Sequence, residues 1–299
     1  MPVSAADAPS IARVGLDVGG SSVKGVGLDA GGSVVARAKS GGYERPDEPT
    51  LRRALAEVLG GLGHADSASV GLCVPGILSE DRTRVEVAVN LPGLVGLDCA
   101  AALGEALGDG TGESRSVRLV SDAFASAYGY WAEERAPGRL LALVIGTGVG
   151  AAVLDGGEPV EVEGNCPGHL GQVDVGPCGG AGEPAPVGPD GGENSLEAYI
   201  GAAALTERLG KDRVAGLLAA GPGDPAWIAL ARAIRIGHAI YRPDRVALLG
   251  GVGSRLGPGL AVLRELVDRR LTSVARAGWE LRSSGTDASG AVGAALLSG

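Results

Sequence analysis

The chain has 299 residues, 45% hydrophobic and 20% charged, with a formal net charge of −9; it can bury a sizeable core, and its acidic surface argues against general binding to nucleic acid. No apolar run approaches the roughly 18 residues of a membrane span, and Met1–Ser10 lacks the basic start and apolar stretch of a signal peptide. Four scattered cysteines read as reduced thiols of a cytoplasmic protein, and 53 glycines without a triplet period exclude collagen and imply many tight turns.

After a polar tail (1–10), apolar runs at 11–18, 22–28 and 33–39 read as strands. The short links Gly19-Gly20 and Asp29-Ala30-Gly31-Gly32 signal antiparallel hairpins. Leu51, Ala54, Leu55, Val58, Leu59 and Leu62 recur at helical spacing, predicting a helix over 50–62 that begins after Pro49-Thr50. A buried strand at 69–74 ends at Pro75-Gly76, and a second at 85–89 closes at Asn90-Leu91-Pro92-Gly93. A helix (97–107), a strand (116–121) and a helix starting near Asp122 follow. The stretch 140–164 then repeats the construction of 14–34: strand, Gly turn, strand, Asp-Gly-Gly turn. That repetition implies a duplicated domain. The Gly- and Pro-rich stretch 176–192 reads as a loop. Helices are expected over 194–219 and 225–240, a strand over 244–249, and helices near 258–274 and 287–298. The order predicts an α/β protein of two similar halves with an interdomain cleft.

Four segments could carry chemistry. In Asp17-Val18-Gly19-Gly20-Ser21-Ser22-Val23-Lys24, glycines at a bend let backbone N–H groups approach an anion, and Ser21, Ser22 and Lys24 add donors. Asp17 could hold a metal-bound water. The plain alternative is a hairpin turn with an exposed lysine. Gly146-Thr147-Gly148 is an equivalent turn in the second half, and two such turns can hold a polyphosphate chain. Gly250-Gly251, after a strand, would let a base or ribose lie against backbone. Each glycine could instead serve close packing. Ser121-Asp122 ends a strand and opens a helix, so Asp122 is either an N-cap or an acceptor for a substrate hydroxyl proton.

Taken in order, Asp-x-Gly-Gly-Ser-Ser-x-Lys, Val74-Pro75-Gly76, Asn90-Leu91-Pro92-Gly93, Ser121-Asp122-Ala123, Gly146-Thr147-Gly148-Val149-Gly150 and Gly250-Gly251 resemble the ROK family of sugar kinases and related repressors. The resemblance runs from about Val14 to Leu297. It implies the two-domain actin-like ATPase (ribonuclease H-like) fold, with a small domain at 11–119 plus 286–299 and a larger one at 120–285. It implies Asp122 as catalytic base, and Gly76, Asn90 and Ser121 near the sugar. It also implies that ATP phosphates with Mg²⁺ bind at Asp17, Gly19, Gly20, Ser21, Ser22, Lys24, Gly146, Thr147 and Gly148, and adenosine at Gly250 and Gly251. Glu197 matches a carboxylate that binds sugar hydroxyls; the plain reading is a solvated first-turn residue favoured by the helix dipole.

The chain also departs from the family. Ser121 stands where the family has Asn. The family's Gly-Glu-x-Gly-His segment falls on Gly168-His169-Leu170-Gly171-Gln172, putting His169 for the sugar-binding Glu and Gln172 for the zinc-binding His. A register shifted by three would instead put His169 on the family His and Cys166 on the Glu. A lone His is also commonly an ordinary surface or core residue. Of the zinc cysteines only Cys178 remains, so no structural zinc is expected, four ligands being required. The expectation is a homodimeric sugar kinase, glucokinase-like by default, binding sugar and nucleotide, with no membrane or nucleic-acid partner. Polyphosphate is an alternative donor, and a sugar-binding sensor that has lost catalysis is the rival class.

Overall fold

A computed structural model describes residues 10–63, 68–107, 118–162 and 169–298. The polar start of the chain, apart from Ser10, lies outside these residues, as do Cys166 and Gly168. Contacts divide the chain into two units, Met1–Val120 with Gly290–Gly299, and Ser121–Ser289.

The first unit runs β1 (Arg13–Val18), β2 (Val23–Leu28), β3 (Val34–Lys39), α1 (Glu48–Leu62), β4 (Ser69–Val74), β5 (Ile77–Leu78), β6 (Val85–Val87), α2 (Cys99–Leu107) and β7 (Arg118–Ser121). β1, β2 and β3 form the two expected antiparallel hairpins, and β4 joins β1 in parallel, giving the order β3-β2-β1-β4-β7. α1 starts earlier than its spacing suggested, because Asp47 accepts from the Thr50 N–H and acts as the cap. The strand expected over 85–89 stops at Val87.

The second unit runs α3 (Asp122–Glu134), β8 (Arg139–Ile145), β9 (Val149–Asp155), β10 (Glu158–Pro159), α4 (Leu196–Ile200), α5 (Ala202–Leu209), α6 (Arg213–Ala220), α7 (Pro225–Tyr241), β11 (Arg245–Leu249), α8 (Gly250–Gly253), α9 (Leu260–Asp268) and β12 (Glu280–Ser283). Its sheet has the order β10-β9-β8-β11-β12. Two antiparallel pairs precede two parallel ones, and in the first sheet two antiparallel pairs likewise precede the parallel β1–β4 pair, so the repetition in sequence is a repetition of topology.

Strand alternation sorts the core of this unit. Leu141, Leu143 and Ile145 face α4, α7 and α9, where Trp227, Leu230, Ile234, Leu263 and Val267 pack. Leu140 and Ala142 face the other way, onto Ala123, Ala127 and Tyr130 of α3. α10 (Ser289–Leu296) then carries the chain back to the first unit. There it lies so close to the sheet that a Cβ on Gly15 would stand 1.8 Å from the Ala291 carbonyl oxygen, and one on Gly71 1.9 Å from that of Ala294. Glycine in the strands and alanine in the helix are two sides of one contact.

One buried group couples this core to pH. His238, in the last turn of α7, is 2% exposed, its ring set edge-on to Trp279 at 4.5 Å. Neither ring nitrogen has a hydrogen-bond partner among the described residues. Burial, then the charge of Arg264, pushes its pKa down from 6.5 to about 4, with Asp268 opposing. Between those values only the unfolded chain takes up the proton, so stability is full above pH 6.5 and falls as pH drops toward 4, by about 3 kcal/mol at full extent. His238→Phe should therefore flatten the fall of the thermal midpoint between pH 6.5 and 4. Equal slopes for the two proteins would show that His238 titrates normally.

Candidate active site

The two sheets carry their hairpin turns at equivalent places. In the first unit, Asp17 and Lys24 are directly opposed across β1 and β2, on one face of the sheet. The Cys73 thiol donates to Asp17 Oδ1 at 3.5 Å. Gly19 to Ser22 make the turn, closed by a bond from the Gly19 N–H to the Ser22 carbonyl (3.0 Å). Gly76 has φ of 107°, and a Cβ there would stand 2.1 Å from the Val87 carbonyl oxygen. This close approach puts Gly76 beside the segment that leads to half-buried Asn90.

The second unit gathers more. In its turn the Gly146 N–H donates to the Gly148 carbonyl (2.9 Å), and the Gly146 carbonyl accepts from the Ala202 N–H (2.9 Å). Glu197, in the first turn of α4, is 7% exposed, and its Oε2 accepts from the Val149 N–H at 2.8 Å. The reading of Glu197 as a solvated residue is thus corrected. A Cβ on Gly148 would stand 2.8 Å from the same Oε2, so the carboxylate lies directly behind the turn. Burial raises the Glu197 pKa; the Val149 N–H opposes that shift and the charge of Asp190 adds to it. Sequence reasoning missed Asp190, which sits in a loop with no periodicity to mark it.

Gly250 and Gly251 follow β11, the parallel neighbour of β8, with Leu249 opposite Val144. Gly250 has φ of 80°, and a Cβ on it would stand 2.7 Å from the Ile145 carbonyl oxygen. The third glycine segment therefore lies beside the Gly146 turn, at the same end of the sheet.

Residues 170–172 form one 3-10 turn, with His169 and Gln172 exposed at its ends. A Cβ on Gly171 would stand 2.0 Å from the Val149 carbonyl oxygen, and the Leu196 N–H donates to the Val173 carbonyl (3.1 Å). Gly171 and Glu197 thus both meet Val149, one at its carbonyl and the other at its N–H.

Asp122 completes the group. Ser121 is the N-cap of α3, its Oγ accepting from the Phe124 N–H at 3.3 Å. The reading of Asp122 as cap is therefore corrected: it stands one residue on, its Oδ1 accepting from the Ala123 N–H at 2.7 Å. A Cβ on Gly150 would meet the Ala123 Cβ at 3.1 Å, which sets the start of α3 against β9 near the turn. The second unit alone brings together Asp122, the 146–148 turn, the 169–172 segment, Glu197 and Gly250-Gly251.

Cys178 is buried in the loop after this segment. Its N–H donates to Tyr199 Oη (3.0 Å), and Arg232 Nη1 donates to the Val175 and Pro177 carbonyls (2.7 and 2.9 Å) and to the Cys178 sulfur (3.4 Å). Among the described residues no group of three or more His, Cys, Asp or Glu could hold a metal ion.

The model of the ROK family matches residues 13–221. A polyphosphate glucokinase of Mycobacterium tuberculosis (strain CDC 1551 / Oshkosh) is 30% identical over 148 residues, 48% of this chain. The match spans about half, 53%, of that relative. The crystal structure of a ROK family glucokinase from Streptomyces griseus, in complex with glucose and AMPPNP, has a TM-score of 0.74 at 18% identity, covering 96% of this chain and 99% of that one. An inorganic polyphosphate/ATP-glucomannokinase from Arthrobacter sp. strain KM has a TM-score of 0.66 at 22% identity, covering 97% and 98%.

Proposed function

Since this chain belongs to the ROK family and has its two-domain actin-like ATPase fold, we propose that it is an ATP-dependent carbohydrate kinase. It would transfer the γ-phosphoryl group to a hydroxyl of a hexose or related sugar. The observation that carries this reading is the place of Asp122, relieved of capping by Ser121 and set at a helix N-terminus against the strand that leaves the Gly146 turn.

The roles follow from chemistry. Asp122 accepts the proton of the sugar hydroxyl; phosphoryl transfer has a loose transition state, so the base mainly orients the nucleophile. The turns at 19–22 and 146–148 suit phosphate oxygens through backbone N–H groups, and Lys24 adds positive charge. Gly250 and Gly251 suit the adenosine, since Gly251 has open space around its Cα. Asp17 would hold Mg²⁺ through a bound water, and the ion would neutralise charge on the phosphates. Gly76, Asn90, Ser121, His169, Gln172 and Glu197 recognise the sugar. In this reading the 176–192 loop needs no structural zinc, being tied down by Arg232 and Tyr199, and the protein acts in the cytoplasm as a homodimer.

The test is phosphoryl transfer to a panel of glucose, mannose, fructose and N-acyl amino sugars, with ATP and then polyphosphate as donor, and with Asp122→Ala as control. Polyphosphate belongs in the panel because both relatives named for it align with this chain. One sugar turned over only when Asp122 is present is the expected result. Sugar binding by calorimetry without transfer from either donor would overturn the kinase reading in favour of a sensor.

A further inference from the structure

The turn between β1 and β2 faces its carbonyls inward. Gly19 O accepts from Tyr43 Oη at 2.7 Å, Ser21 O from the Tyr43 backbone N–H at 3.0 Å, and Ser22 O from the Gly19 N–H at 3.0 Å. The N–H groups of Gly20, Ser21 and Ser22 have no partner among the described residues. Successive N–H groups left over in this way form a concave donor surface for an anion.

Two of the three inward bonds come from one residue, 24 positions along the chain. The Tyr43 ring packs against the core of the first unit. Burial, then the charge of Asp17, raises the phenol's pKa above its ordinary value of 10. The hydroxyl is therefore a donor at every physiological pH. Just before it, Ser40 is paired to the first residue of β2: its Oγ accepts from the Val23 N–H, and its own N–H donates to the Val23 carbonyl, both at 2.9 Å. Segment 40–43 and the turn are thus bonded as one piece.

We propose that Tyr43 is a positioning residue for the phosphoryl donor, holding the turn's carbonyls inward so that its three N–H groups serve a phosphate. This rests on the kinase reading, which supplies the identity of the anion.

Tyr43→Phe tests it, because the ring stays in the core and only the hydroxyl is lost. ATP binding by calorimetry and steady-state kinetics should show Kd and KM for ATP raised about fivefold, the size of one lost hydrogen bond. Sugar affinity should match the wild type and the thermal midpoint should fall only by what one lost hydrogen bond accounts for, a split that general loosening of the fold would not produce. Unchanged ATP affinity, or equal losses for sugar and ATP, would overturn the proposal. Gly20→Val, measured alongside, separates the failures. If it weakens ATP while Tyr43→Phe does not, the turn binds phosphate and Tyr43 has no part in it. If neither variant changes ATP affinity in a chain that still phosphorylates sugar, the turn is not the phosphate site and the proposal falls, while the kinase reading stands. A wild-type chain that binds neither ATP nor polyphosphate removes both.

Discussion

Asp122→Asn is expected to lower kcat by about 10²–10⁴-fold, the range for removing a positioned general base, with KM for ATP close to that of the wild type. The substitution keeps the shape of the side chain. An amide oxygen can still accept from the Ala123 N–H, and the Ser121 cap that starts α3 is untouched. What is lost is the negative charge and the capacity to take a proton. The charge also favours the helix N-terminus, by about 0.3–1 kcal/mol. A small fall in thermal midpoint with activity within a few-fold of wild type would mean that Asp122 only complements the helix dipole. A collapse of turnover in a folded protein that still binds sugar and ATP is the result the kinase mechanism requires.

The sheets were readable because their information is local. Alternation of Val and Leu, with glycine at the bends, set β1, β2, β8 and β9 near their true positions, and the Asp-Gly-Gly ends exposed the duplication. Helices over 194–219 were harder. The helices expected there are α4, α5 and α6, but their breaks, at Gly201 between the first two and at Gly210 and Gly221 at the ends of the others, had no signal in the apolar pattern. Apolar periodicity continues across such breaks, because all three helices bury a face against the same core. β10 escaped notice for another reason: two residues, one of them proline, on a sheet edge carry no period.

The site was legible wherever glycine marks a turn, and illegible wherever a side chain acts through a distant backbone. Both Ser121 and Asp122 are good capping residues, so sequence alone does not decide between them; the bond to Phe124 does. Glu197 looks like any acidic residue in a first helical turn. Its burial follows from the pairing of Val173 with Leu196, which brings α4 under the Gly146 turn. Tyr43 gives no signal at all, since its partners, Gly19 and Ser21, are reached through main-chain atoms.

Gly171→Ala probes the 169–172 segment of the candidate site. The new methyl would stand 2.0 Å from the Val149 carbonyl oxygen and 3.0 Å from the Val149 carbonyl carbon. Val149 cannot easily retreat, being paired with Ile145 in the sheet and bonded through its N–H to Glu197. The 170–172 turn must therefore lift, by about 1 Å, and carry His169 and Gln172 with it. Misplacement on that scale costs about 10²-fold in a positioned site. The expected result is a fall of that order in kcat/KM for the sugar. The strain falls on a turn whose ends are exposed, so the chain should still fold, at a cost of about 1–3 kcal/mol visible as a lower thermal midpoint. If kcat/KM for the sugar survives within a few-fold, His169 and Gln172 are surface residues, and sugar selection rests with Asn90, Gly76 and Glu197. If it falls as expected, the 169–172 segment takes part in sugar recognition. His169→Glu should then change the ranking of the sugars in the panel.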